Sequence, residues 1–184
     1  ERTARYGQRP ATLLLTGLAG AGKTTIAYAL ERRLFDLGRA VAVLDGKNMR
    51  RGISRDLGFT VDDRSENLRR SAEAAKLLND AGLICIAAFV APQLEVRRRA
   101  AEVVGKDRFL LVHLHAPLEV CRSRDQEGMY AAADAGEIAN FPGVSADYET
   151  PQSPDLRLDT TELNVDQCVD QIIKLLRDRN VAVD

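Results

Sequence analysis

The chain has 184 residues, 45% of them hydrophobic, with 26 basic and 27 acidic side chains and a formal net charge of -1. That length and composition suit one globular domain with a full-sized core and exclude a disordered or fibrous class. Near-neutral charge argues against a nucleic-acid partner, since tracking phosphates needs a basic excess, and no apolar run approaches a membrane span.

Residues 1–10 form a polar, basic lead-in without an initiating Met, which reads as a linker ahead of a domain over 11–184. Nothing in it resembles a signal peptide. A buried strand is predicted at 13–16 and a helix at 24–37. Strands follow at 41–44, 83–88 and 109–113, with a shorter one at 156–158. Helices are predicted at 62–81, 93–104, 118–123 and 165–179. Gly38, Gly82 and Gly105 stand where helices should stop. Such alternation predicts a mostly parallel five-stranded sheet with helices on both faces, a three-layer α/β fold. Ligands of such sheets bind beyond the carboxyl ends of the strands, which directs attention to Gly17, Asp45–Arg50, 89–93 and 113–117.

Residues 125–153 break the pattern, being rich in Gly, Pro, Ala and acidic side chains. A stretch of that length without a clear element is a functional lid or a mere linker, and the lid reading is favoured because functional loops dominate this length class. The cysteines, Cys85, Cys121 and Cys168, are odd in number, far apart and without metal-site spacing. Their pattern fits a reducing, cytoplasmic compartment.

The chemistry is concentrated in Gly17-Leu18-Ala19-Gly20-Ala21-Gly22-Lys23-Thr24-Thr25. The spacing is that of a phosphate-binding loop, with the required strand before it and helix after it. Its glycines allow the backbone to approach an anion closely. The amides from Gly20 to Thr25 then face phosphate oxygens from a helix N-terminus. Lys23 can bridge the outer phosphates of ATP, and the Thr24 hydroxyl is placed for Mg²⁺.

Further motifs follow in order: Leu44-Asp-Gly-Lys-Asn-Met-Arg50, Arg55-Asp-Leu-Gly-Phe59, Asp63-Arg-Ser-Glu-Asn-Leu-Arg-Arg70, Phe89-Val-Ala-Pro92, Pro117-Leu-Glu-Val-Cys121 with Arg124-Asp125, and Gly136-Glu-Ile-Ala-Asn-Phe141. Together, over about 11–176, they resemble the adenylylsulfate kinases, P-loop NTPase-type enzymes that use MgATP to phosphorylate the 3′-hydroxyl of adenosine 5′-phosphosulfate. The resemblance implies that Arg50 and Arg64 hold the phosphosulfate, for which a guanidinium fork is suited. It also implies that Phe59 and Phe141 sandwich the substrate adenine, that Asn67, Phe89 and Val90 contact the same nucleotide, and that Arg124 lies against the ATP adenine. Asp45, ending the second strand, is placed to orient the attacking hydroxyl or a metal-bound water. A fused ATP sulfurylase and a homo-oligomer are the implied partners.

The chain departs from the family pattern in places. Lys47 stands where Asp is usual, reversing the local sign and placing a positive charge near the transferred phosphate. Ala91 replaces a serine, and Ala131, Ala132 and Ala139 stand where lid lysines are common. Two alternatives therefore remain open: a nucleotide-sensing domain of low or no activity, and a P-loop kinase for another small metabolite. The plainer readings of single residues also stand. Paired arginines such as Arg50-Arg51 suit a solvated helix face, and Phe59 suits a core. His113 and His115 share one strand face and read as structural. Arg97-Arg98-Arg99 reads as solvated surface.

Overall fold

The computed structural model describes residues 1–181. The strands are β1 (Ala11–Thr16), β2 (Val41–Asp45), β3 (Ile84–Ala88), β4 (Phe109–His115) and β5 (Leu156–Asp159). They form one sheet in the order β2-β3-β1-β4-β5, and every ladder is parallel. The helices are α1 (Arg2–Tyr6), α2 (Lys23–Asp36), α3 (Gly46–Arg51), α4 (Val61–Asp80), α5 (Leu94–Val104), α6 (Leu118–Ser123), α7 (Met129–Asp134) and α8 (Val165–Asp178).

Strand alternation sorts the core into two layers. Leu13 and Leu15 of β1 meet Leu30 and Leu34 of α2 and Ile172 and Leu176 of α8, whereas Leu14 faces Leu68, Ala72 and Ala75 of α4 and Ala100 of α5. Both faces are thus covered, as parallel strands require. Among the described residues no helix is long and apolar enough to cross a membrane.

The predicted elements are all present, with ends shifted by one or two residues. Three short helices were not foreseen. Helix α1 lies in the lead-in, where Gln8 is buried and its amide donates to the carbonyls of Ala40 (2.7 Å) and Gly82 (3.0 Å). Helix α3 is started by Asp45, whose carboxylate accepts the backbone N–H of Lys47 and Asn48. Helix α7 interrupts the 125–153 segment expected to lack an element. Its start is fixed by Asp125, which accepts from Tyr130 N at 2.8 Å. Single turns of this length have too little periodicity to be read from sequence.

All three cysteines are free and buried. Burial pushes the Cys85 thiol up to about 12, which keeps it protonated and inert.

Candidate active site

The loop from Gly17 to Thr24 joins β1 to α2 at the carboxyl edge of the sheet. Two of its glycines are dictated by contact. A Cβ on Gly17 would overlap the Leu114 carbonyl oxygen, and one on Gly20 (φ +82) would overlap that of Cys121. The loop is therefore seated on β4 and α6 at a separation only glycine permits. Lys23 is buried, and its ammonium donates to the carbonyls of Gly17 (2.9 Å) and Leu18 (2.6 Å). Desolvation pushes its pKa down to about 8, against the opposing influence of Cys121 and Asp45.

Asp45 is buried at the end of β2 and serves two purposes. One carboxylate oxygen accepts the Thr24 hydroxyl at 2.7 Å, and the other accepts Lys47 N at 2.9 Å as it caps α3. The P-loop hydroxyl and the strand-end carboxylate are thereby joined. Lys47 itself pairs with Glu127, in the segment that precedes α7.

On the other side of Asp45, α3 and α4 bring a second group together. The Gly46 carbonyl accepts from Arg50 Nη1 (3.2 Å) and from Asn67 Nδ2 (3.5 Å). Arg50 also donates from Nε to Gly58 O (3.1 Å) and lies 4.5 Å above the Phe59 ring, while Arg64 Nε donates to Phe59 O (3.0 Å). Desolvation lowers both guanidinium pKa values; Arg64 is lowered further by the charge of Arg50. Among the described residues neither arginine forms an ion pair, although Arg69 and Arg70 on the same helix as Arg64 do. The Asp63 carboxylate is close enough to act on Arg50, but two adjacent cations that hold no ion pair still make a ready seat for a dianion. Among the described residues, the buried Oδ1 of Asn67 also lacks a partner.

Phe59 is more than half exposed, so it is no core residue. Phe141 is buried, with its ring edge-on to Tyr130 at 5.0 Å. Phe89 is buried beneath α3 against Gly46. Thr16 donates to Val90 O at 2.6 Å, tying the ends of β1 and β3. Arg124, after α6, donates to Thr160 Oγ1 (3.0 Å) and to its carbonyl (2.8 Å), which places it beside β5. A cavity of about 650 Å³ opens beside Leu18, between the end of β4 and the return of the 125–153 segment at 143–150.

Several residues of the site escaped the sequence reading. Tyr130 donates its hydroxyl to Ala19 O at 2.8 Å and so anchors α7 on the P-loop. Tyr148 meets the Thr16 hydroxyl at 2.9 Å and stacks on His113. Arg97, expected on the surface, is instead buried, donating to Ala91 O (2.7 Å) and Glu149 O (2.6 Å). It thereby holds Ala91, whose φ of +44 is unfavourable for a side-chain-bearing residue. The reason was legible: Arg97 shares the inward stripe of α5 with Ala100 and Val104, whereas Arg98 and Arg99 pair with Glu95 on the outside.

A profile of the family described as adenylylsulphate kinase matches residues 9–159. The bifunctional enzyme CysN/CysC of Rhodopirellula baltica is 59% identical over 177 residues, which cover 96% of this chain and 27% of that protein. The chain thus spans about a quarter of that relative. The adenylyl-sulfate kinase of Shewanella pealeana is 50% identical over 161 residues, covering 88% of this chain and 78% of its own. The Mycobacterium tuberculosis APS kinase CysC, solved in complex with AMPPNP and APS, superposes with a TM-score of 0.88 at 40% identity, covering 92% of this chain and 99% of that one.

Proposed function

The chain belongs to the adenylylsulphate kinase family, and we propose on that basis that it transfers the γ-phosphate of ATP to the 3′-hydroxyl of adenosine 5′-phosphosulfate. The products are 3′-phosphoadenosine 5′-phosphosulfate and ADP. The observation that carries this reading is the flanking of Asp45 by two unlike anion seats. One is the glycine-rich loop with Lys23 and Thr24; the other is the couple Arg50 and Arg64, which form no ion pair among the described residues.

The roles follow from chemistry. Amides from Gly20 to Thr25 cradle the triphosphate, and Lys23 exchanges the carbonyls of Gly17 and Leu18 for the outer phosphates. Asp45 orients the acceptor hydroxyl. Phosphoryl transfer passes through a loose transition state, so alignment and charge neutralisation dominate over proton abstraction. Arg50 and Arg64 fix the phosphosulfate, and Asn67 offers its unpartnered oxygen to the same nucleotide. Phe59, Phe89, Val90 and Phe141 shape the substrate adenine site, while Arg124 faces the ATP base.

The Thr24 hydroxyl and Asp45 carboxylate form an all-oxygen donor pair, which suits Mg²⁺, an ion that keeps most of its shell as water and phosphate. Among the described residues no larger cluster of metal-ligating side chains exists. Mg²⁺, when bound, supplies charge neutralisation on the β- and γ-phosphates. We further propose that the natural protein joins this domain to an ATP sulfurylase activity, whose product is the acceptor used here; the match to a bifunctional relative supports this.

The test is a coupled assay of ADP release with ATP, Mg²⁺ and adenosine 5′-phosphosulfate, beside a Lys23→Ala control. Turnover that requires the sulfated nucleotide and vanishes in the control is expected. Tight product binding without turnover, or turnover only with another metabolite, would overturn the reading.

A further inference from the structure

A closed circuit of contacts surrounds the phosphate loop. Thr24 bonds to Asp45, Asp45 caps the helix that carries Lys47, Lys47 pairs with Glu127, and Asp125 ties Glu127 N (3.1 Å) to Tyr130, whose hydroxyl returns to Ala19. Tyr130 and Asp45 are buried, whereas the Lys47 and Glu127 side chains are 61% and 57% exposed. The ion pair is therefore the weakest link of the circuit, and it joins two segments, α3 and the turn before α7, that are each anchored on the phosphate loop.

We infer that Glu127 holds Lys47 in reserve, and that an incoming triphosphate displaces the carboxylate so that Lys47 becomes an additional positioning cation for the nucleotide. This rests on the nucleotide reading above. An exposed ion pair is worth little, so a single carboxylate is readily exchanged for a polyanion of several charges. The same exchange frees the turn at Asp125 to follow the ligand. The motif placed a positive charge near the phosphates; the pair with Glu127 adds how that charge is held until needed, and Glu127 acts through Lys47 as a positioning residue.

The test is a double-mutant cycle read by the dissociation constant for AMPPNP with Mg²⁺ at low salt, using the wild type, Glu127→Gln, Lys47→Met and the double variant. Glu127→Gln should tighten binding about threefold, the size an exposed pair supports, and Lys47→Met should weaken it. In the Lys47→Met background, Glu127→Gln should have no effect. Tightening of equal size in both backgrounds would mean a general field effect and would overturn the inference. So would unchanged or weakened binding in Glu127→Gln. Failure of the wild type to bind the analogue would overturn the nucleotide reading as well, whereas wild-type binding with no coupling would overturn the reserve lysine alone.

Discussion

The Thr24 hydroxyl donates to the Asp45 carboxylate at 2.7 Å, joining the end of the phosphate loop to the end of a strand two places away in the sheet. That bond ties the start of α2 to the carboxyl end of β2. It also burdens Asp45 with a structural duty, because the same carboxylate starts α3.

The two duties can be separated. Asp45→Asn keeps an acceptor for the α3 amides but removes the charge, so it should fold normally and lose at least about a hundredfold in turnover. Asp45→Ala should lose the cap as well and fall by about a further 1 kcal/mol in stability. Urea melts beside the coupled assay check both. Equal stability of the two variants would contradict the capping role.

Lys23, with its pKa pushed down to about 8, predicts a pH dependence of nucleotide binding. Only the ammonium attracts phosphate, so affinity for ATP should be full below pH 8 and decline as pH rises through it. Titration of AMPPNP binding between pH 7 and 9.5 measures this, and Lys23→Met should bind weakly with no such decline. The linked stability effect has a definite sign. The unfolded lysine keeps its proton up to about pH 10.5, so between 8 and 10.5 the unfolded state binds more protons and the cost of burying this group shrinks as pH rises.

Arg97 supports the 143–150 return from below through Ala91 O and Glu149 O. Arg97→Met preserves much of its volume and strands both acceptors. A loss of about 2–3 kcal/mol is expected in urea denaturation. The neighbouring Arg99→Met, which removes only an exposed pair with Glu95, should cost under about 1 kcal/mol. Similar values for the two would refute the buried role.

His113 should make the protein acid-sensitive. Desolvation, with the nearby charges of His115, Arg157 and Arg97, pushes its pKa down to about 4 from 6.5. Below pH 6.5 the unfolded chain gains a proton that the native state refuses, so this residue's contribution to stability falls from pH 6.5 toward 4. Its buried Nδ1 has no hydrogen-bond partner among the described residues. His113→Phe should therefore be tolerated at pH 7 and show a smaller drop in melting temperature between pH 7 and 4.5 than the wild type.

Much of this architecture was written in patterns of short range. The apolar run before Gly17, the glycine spacing and the helical period after Thr24 name the phosphate loop, because backbone sterics leave few other uses for those residues together. Strand and helix alternation gave the layered parallel sheet for a similar reason, as a covered sheet needs two-sided apolar strands. Less was legible where a residue's environment is made by distant segments. Arg97 sits in a run of three arginines and only packing distinguishes it, and Phe59 is left outside by the turn that carries it.

The order of residues alone settled which groups could grip phosphate and where along the chain they lie. Which side chain meets which was decided by the folded sheet: it set Asp45 on Thr24, brought Arg50 and Arg64 together around the Phe59 turn, and turned Lys47 toward Glu127. The physical cause is that local backbone preference acts over a few neighbours, whereas charge pairing and burial depend on residues far apart in the chain, 80 positions for Lys47 and Glu127 and 137 for Arg33 and Asp170.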